Sequence, residues 1–154
     1  MLLPATYDPP NGVYWIQSVG WPKCTLGNDQ WNANLQEVAP ANERDQWDVI
    51  NTPEYSHISL RPTPRETSNM LAVMNKTMDY GSRIVIRAMD STVSQQWIIY
   101  PGRKVNNQTT YIIGHATYDR LVLTALRKGC VLGPRTGLTN QEWWFHPVGH
   151  TKII

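Results

Sequence analysis

The chain has 154 residues, of which 41% are hydrophobic and 17% charged, and its formal net charge at pH 7 is +2. This length suits a single domain with its own core, and the near-balanced charge without a basic stripe indicates no nucleic-acid partner. Seven Trp and seven Tyr offer large surfaces for burial, which excludes uniform disorder. Eleven Pro and ten Gly, spread along the whole length, argue against long helices.

The amino-terminal stretch, residues 1–10, lacks the basic and apolar segments of a secretory signal. No stretch reaches the roughly 18 apolar residues that a membrane helix needs. We therefore expect a cytoplasmic protein without membrane insertion. The two cysteines, Cys24 and Cys130, cannot form a disulfide framework and are expected to be buried thiols in strands.

The predicted elements are short apolar runs, alternating or β-branched and bounded by Gly, Pro, Asn or Asp, which is typical of strands. In chain order the predicted strands are 13–17, 23–26, 33–38, 45–50, 57–60, 70–74, 83–87, 95–100, 110–113, 121–126, 130–132 and 141–145. Helix formers within 71–78 are cut short by Asn75 and by the turn at 79–81. The sequence thus predicts an all-β protein of twelve strands.

Three of these strands begin with a related pattern. The three segments are Asp45-Gln46-Trp47, Gln95-Gln96-Trp97 and Gln141-Glu142-Trp143. The Trp residues are spaced 50 and 46 residues apart, and each unit holds four predicted strands. A unit of this size cannot bury its apolar face alone, so we expect three units to close around a common axis.

The units are predicted to span about residues 11–52, 53–103 and 104–150 of one domain, residues 1–154. The three Trp residues are expected to define the shared core, where each buried indole removes a large apolar area from water. The Gln of Gln-x-Trp is expected to bond backbone groups through its amide and so to pin a loop of its unit.

Three units of this length, each ending in or near Gln-x-Trp, resemble the ricin-B-type β-trefoil lectins, above all the small one-domain members of fungi. The opening, residues 11–19, resembles the Gly-x-Tyr-x-Ile start of that family, and residues 121–145 are similar to its last repeat. The resemblance covers about residues 11–148. It implies a β-trefoil fold and a non-catalytic protein of fungal defence or glycan recognition that binds galactose- or N-acetylhexosamine-containing glycans.

The resemblance also implies a sugar site in which a hairpin carboxylate accepts bonds from sugar hydroxyls, an aromatic ring stacks on the sugar, and an Asn before Gln-x-Trp adds a polar contact. The Asp that family members carry inside the second strand is absent from residues 24–26, 71–73 and 123–125. The first unit has the richest set of candidates. The predicted carbohydrate-binding residues are Trp21, Asn28, Asp29, Trp31 and Asn42. Asn28-Asp29 is also an ordinary turn dipeptide, which explains it without a ligand.

A protease inhibitor is the alternative, because trefoil folds host several functions. The loop 133–137 carries Arg135, which is placed to enter the acidic pocket of a trypsin-type protease. Arg61 and Arg65, in a loop stiffened by prolines, are second candidates. Arginines in such loops also serve simply to solvate a surface.

Other chemistry finds no support in the sequence. His57, His115, His146 and His150 show no metal-ligand spacing, and no Gly-x-Ser-x-Gly, phosphate-binding loop or His-Glu-x-x-His motif occurs. We expect no enzyme activity, metal or cofactor. A single sugar site binds weakly, with a Kd on the order of 1 mM, and avidity needs linked sites. A homodimer is therefore predicted, motivated by surplus aromatic residues such as Trp15 and Trp144.

Overall fold

The protein is described by a computed structural model over residues 7–29, 31–37, 45–60, 69–74, 81–88, 90, 92–118, 120–127 and 129–148. Within these residues it contains twelve strands, which confirms the prediction of an all-β protein. They are β1 (Gly12–Ser18), β2 (Cys24–Asn28), β3 (Ala33–Glu37), β4 (Gln46–Asn51), β5 (Ser56–Leu60), β6 (Asn69–Val73), β7 (Ser82–Ala88), β8 (Trp97–Val105), β9 (Gln108–His115), β10 (Leu121–Ala125), β11 (Cys130–Pro134) and β12 (Trp143–Pro147). Each overlaps a predicted strand. No helix within the described ranges has the length and apolar character to cross a membrane.

Six of the strands form a closed antiparallel ring. β1 pairs with β4, β4 with β5, β5 with β8, β8 with β9, β9 with β12, and β12 again with β1. The last pairing places Tyr14 opposite Pro147 and Ser18 opposite Trp143. Because the ring closes on itself, none of these six strands is left as an open sheet edge.

The other six strands form three hairpins, β2–β3, β6–β7 and β10–β11. Because neighbours in the ring are antiparallel, β1, β5 and β9 run in one direction and lead the chain to the same end of the barrel, where the hairpins start. The hairpins also contact one another, since β7 pairs with β11 and Asn32 after β2 forms a bridge with Val85 in β7. Together they cover that end of the barrel.

The three Trp residues of the repeated motif occupy similar positions in one core. Trp47, Trp97 and Trp143 are 0% exposed and belong to the same hydrophobic cluster. Each indole N–H donates a hydrogen bond to the backbone of a hairpin strand: to the carbonyls of Leu26 (2.8 Å), Leu71 (2.9 Å) and Leu123 (3.4 Å). The prediction that these residues are structural is confirmed, and their bonds join each hairpin to the barrel.

The Gln residue of the motif pins a loop, as expected. Gln95 is fully buried, its amide nitrogen donates to the carbonyl of Ala88 (2.7 Å), and its amide oxygen accepts the N–H of Asp90 (3.0 Å). A side-chain amide suits this position because it supplies a donor and an acceptor together.

Gln141 plays the same part before β12. It donates to the carbonyl of Pro134 (2.6 Å) and accepts the N–H of Thr136 (2.8 Å). In the first unit the buried Asp45 occupies the equivalent position, two residues before the Trp. Its carboxylate has no N–H group to donate, unlike the amide of Gln.

The surplus aromatic residues that motivated a dimer are buried. Trp15 is 8% and Trp144 7% exposed, so the expectation that these residues offer an exposed aromatic interface is wrong. Strand alternation places both on the outside of the barrel, but it does not reveal what covers that outside. Trp144 lines a hollow there together with Pro22, Asn106 and Gln108. The homodimer itself stays a prediction.

The cysteines are free thiols. Cys130 is buried as predicted, and burial raises the pKa of its thiol to about 12. Cys24 is only half-buried, because it lies at the start of β2 next to an exposed turn. Burial, followed by the charge of Glu37, raises the pKa of the Cys24 thiol, so neither thiol is activated as a nucleophile.

Candidate functional site

The turn that joins β2 to β3 is built around the Asp29 carboxylate. One oxygen, Oδ1, accepts the backbone N–H groups of Trp31 (3.0 Å) and Asn32 (2.7 Å). The N–H of Asp29 in turn donates to the carbonyl of Asn32 (3.1 Å). The bonds from Asn32 and Trp31 lower the pKa of the Asp29 carboxyl. The carboxylate is therefore ionised at neutral pH and fixes the turn, in agreement with the turn interpretation of the sequence.

The second oxygen of Asp29, Oδ2, takes little part in holding the turn. Its Oδ2 has one long contact, 3.5 Å from the side-chain amide of Asn32, which is too long for a strong hydrogen bond. Asp29 is exposed, so Oδ2 can accept bonds from hydroxyl groups of a ligand. Asn28 ends β2, half-buried and paired with Ala33.

Trp31 is an exposed indole on an anchored backbone. Its side chain is 75% exposed, while its carbonyl accepts the N–H of Ile86 in β7 (2.9 Å) and the next residue, Asn32, bridges Val85. A large flat apolar surface held in water by a fixed backbone can stack on the C–H face of a sugar ring.

Trp21 lies elsewhere. It is 39% exposed in the turn between β1 and β2, where its N–H donates to Ser18 Oγ (3.0 Å) and its carbonyl accepts the N–H of Cys24 (2.8 Å). Strand β2 separates this turn from the Asp29 turn, and at about 3.4 Å per residue its span is roughly 14 Å. The structure thus brings Asp29 and Trp31 together but not Trp21. Asn42 lies outside the described residues.

The alternative inhibitory loop holds its arginine against the surface. The guanidinium of Arg135 lies 4.9 Å from the centre of the Tyr100 ring, and the N–H of Arg135 donates to the carbonyl of Arg120 (2.9 Å). To enter a protease pocket the side chain would have to leave Tyr100, an exposed cation–π contact of about 0.5–1 kcal/mol. Arg61 and Arg65 lie outside the described residues.

A cleft on the outer face of the barrel was not predicted from the sequence. It consists of two adjoining hollows that share Gln108 and Trp144. The first, of about 100 Å³, is lined by Gln17, Pro22, Asn106, Gln108 and Trp144. The second, of about 260 Å³, is lined by Gln108, Thr109, Tyr111, Trp144, Phe145, His146 and Pro147. In the sequence, the pair Asn106-Asn107 is the one local indication of this region, because Asn favours tight hairpin turns. Both residues have positive φ angles (54° and 63°) and form the turn between β8 and β9.

Two sets of polar contacts hold the walls of this cleft. His146 Nε2 lies 2.7 Å from Gln17 Oε1 and donates to it, and Gln17 Nε2 donates to the carbonyl of Pro22 (2.6 Å). The β8–β9 hairpin is tied to the residue before β12, because the guanidinium of Arg103 donates to both carboxylate oxygens of Glu142 (2.7 and 2.8 Å). These bonds link β1 to β12 and the end of β8 to the residue before β12.

Three histidines make the stability of the fold sensitive to acid. Burial lowers the pKa values of His57, His115 and His146. His115 also accepts the N–H groups of Thr117 (3.1 Å) and Tyr118 (3.3 Å) through Nδ1, and protonation of that nitrogen would break both bonds.

We predict that the free energy of unfolding falls as the pH drops below about 6.5, the ordinary pKa of histidine. Below that value the unfolded chain binds more protons than the folded one, so acid favours unfolding until the folded-state pKa values are passed. Urea denaturation at several pH values between about 7.5 and 5 measures this slope. Replacing His115 and His146 together with Gln should flatten it, and an equal slope in that variant would contradict the assignment.

Within the described ranges, no three His, Cys, Asp or Glu side chains are grouped so that they could hold a metal ion. The β2–β3 turn therefore presents an aromatic face beside a fixed carboxylate. The cleft presents neutral amide groups beside an indole.

No protein-family model matches the sequence, and no curated protein sequence matches it. Solved structures do match in fold. An agglutinin from Rhizoctonia solani is 14% identical with a TM-score of 0.64, over 94% of this chain and 99% of the agglutinin. The designed three-fold symmetric protein ThreeFoil is 15% identical with a TM-score of 0.70, over 88% and 98%. A lectin from Polyporus squamosus is 18% identical with a TM-score of 0.64, over 88% and 48%.

The chain also matches parts of longer proteins. It spans 17% of a mosquitocidal holotoxin and 33% of an endo-β-galactosidase from Clostridium perfringens. At these identities the similarity shows the fold alone, an all-β barrel of the kind found in β-trefoil lectins. Lectins and glycosidases are both among the similar structures.

Proposed function

We propose that this protein is a non-catalytic carbohydrate-binding β-trefoil, built from three four-stranded repeats at about residues 11–52, 53–103 and 104–150 and related to the fungal ricin-B-like lectins. Three hairpins, each joined to the barrel by a bond from a buried Trp to a Leu carbonyl, support the repeats. The likeness to a lectin and an agglutinin supports the function. The Polyporus squamosus lectin was solved with the glycan Neu5Acα2-6Galβ1-4GlcNAc bound. Glycan recognition in fungal defence is the biological role that fits this proposal.

One observation carries the choice of site: Trp31 is exposed on an anchored turn beside the ionised Asp29. In the proposed complex the C–H face of a neutral sugar ring stacks on the indole of Trp31, and two hydroxyl groups donate to Asp29 Oδ2, an acceptor with more than one lone pair. Asn28 and Asn42 are proposed as further polar contacts. Trp21 falls outside this site because β2 separates it from the turn.

A glycan array followed by titration of a bound glycan tests this proposal. Trp31→Ala should weaken the affinity at least tenfold, equivalent to about 1.4 kcal/mol, because the stacking surface is lost. Asp29→Asn keeps an oxygen for the turn but replaces the second acceptor with a donor, so we expect a loss of several-fold.

Tyr118→Ala is the matched control, since it removes another exposed aromatic ring, in the turn between β9 and β10. It should bind like the unmodified protein. Thermal unfolding of all three variants shows whether the fold is intact. An empty array, or unchanged affinity in Trp31→Ala, would reject the proposed site.

A further inference from the structure

We infer that the cleft beside Trp144 is a second ligand site, which takes the acetamido group of an N-acetylated sugar. The cleft is formed by β1, β9, β12 and the β8–β9 turn, whereas Trp31 belongs to the β2–β3 turn. The inference therefore goes beyond the proposed function and does not need the Trp31 site.

The lining selects a neutral ligand. The described residues around both hollows carry amide, hydroxyl, phenol, indole and imidazole groups but no Lys, Arg, Asp or Glu. Burial lowers the pKa of His146, so its imidazole is uncharged at neutral pH, with the proton on the Nε2 that donates to Gln17. An ion would lose hydration here without gaining a counter-charge, while a neutral polar group meets donors and acceptors.

Polar groups of the cleft lack partners. The indole Nε1 of Trp144 is buried and has no hydrogen-bond partner among the described residues, an arrangement that is unfavourable for a buried donor. The side chains of Asn106 and Gln108 likewise form no hydrogen bond with a described residue. A ligand carbonyl that enters beside Trp144, with a small shift of the β8–β9 turn, would accept the indole N–H.

The sizes of the two hollows indicate which group goes where. The first, about 100 Å³, is the smaller of the two, and it is large enough for an acetamido group. Pro22 and the indole of Trp144 form an apolar wall for the methyl group of the acetamido group. The second hollow, about 260 Å³, adjoins it through Gln108 and Trp144 and has room for the pyranose ring.

A second site changes how one chain can link glycans. With ligands at Trp31 and at Trp144, a single chain is bivalent and gains avidity without forming a dimer. The weak affinity of a single sugar, with a Kd on the order of 1 mM, then suffices for binding to a glycan-rich surface.

Titration of the ¹⁵N-labelled full chain with N-acetylglucosamine, followed by NMR of the seven indole N–H signals, tests the inference. The signal of Trp144, identified by its loss in Trp144→Phe, should move as its N–H gains an acceptor. Glucose, which lacks the acetamido group, should leave it in place. Saturation is expected at millimolar sugar.

The variants separate the two sites. Gln108→Ala should weaken binding at the cleft at least threefold. Trp15→Phe is the matched control, because it removes another buried indole N–H without a described partner that lines neither hollow, and it should bind normally. Trp31→Ala should leave the Trp144 shift unchanged. A shift confined to Trp31 would overturn this inference and leave the proposed function standing; an unmoved Trp144 signal, or equal shifts with glucose, would overturn it as well.

Discussion

Replacing Trp97 with alanine is expected to lower the free energy of unfolding by about 3–5 kcal/mol, the usual cost of removing a large aromatic side chain from a core. Trp97 is 0% exposed, packs edge-on against His115 with ring centres 6.0 Å apart, and donates to the Leu71 carbonyl. Its removal leaves both a cavity and an unbonded carbonyl, which together take a large share of the stability of a domain of this size.

Urea denaturation of Trp97→Ala and of Trp21→Ala measures this loss. Trp21 is 39% exposed, so its replacement should cost no more than about 1 kcal/mol. A second comparison isolates the hydrogen bond: Trp97→Phe should destabilise more than Trp143→Phe, because the indole bonds are 2.9 Å and 3.4 Å long. Equal losses of unfolding free energy in Trp97→Ala and Trp21→Ala would contradict the assignment of Trp97 to a shared core.

Replacing Gln95 with glutamate is expected to destabilise the fold at pH 7 by about 2–4 kcal/mol, although the two side chains have nearly the same shape. The amide nitrogen of Gln95 lies 2.7 Å from the Ala88 carbonyl, and glutamate would place a carboxylate oxygen there. The bond becomes a repulsion, and a charge is buried without a partner. The N–H of Asp90 still finds an acceptor, so the loss comes from one end of the side chain.

The pH dependence identifies this mechanism. The buried carboxyl of Gln95→Glu would have a pKa above that of the unfolded chain, near 4.3, so the variant should lose less stability, relative to the unmodified protein, as the pH falls and the carboxyl binds a proton. Gln96→Glu is the matched control, since Gln96 is half-buried and its side chain forms no hydrogen bond with a described residue. A penalty independent of pH, or the same penalty in Gln96→Glu, would refute the argument.

The strands and the core could be predicted because each is determined locally. Alternation and turn residues define the twelve strands, and three Trp residues at near-equal spacing need equivalent surroundings. The pairings across units could not be predicted in the same way. That β12 lies between β1 and β9 depends on closure of the ring, and no short stretch of sequence encodes that closure.

The same distinction applies to the candidate site. Asp29 and Trp31 share one turn, so their proximity follows from the sequence. Nearness along the chain groups Trp21 with them, but strand β2 separates it from them. Burial of Trp144 could not be predicted because alternation gives only the side of a strand, while Pro22 and Asn106, which line the same hollow as Trp144, are both distant from it in sequence.

The pairing of β1 with β12 also determines when the protein can fold in the cell. Tyr14 meets Pro147 across this pair, and at about 5–20 residues per second a ribosome needs roughly ten seconds to make the chain between them. During that time β1 has at most one of its two ring neighbours, and apolar residues such as Ile16, fully buried in the finished fold, lack part of their cover. Ring closure therefore has to wait until β12 has been synthesised, and until then the nascent chain exposes apolar surface of the kind that chaperones bind.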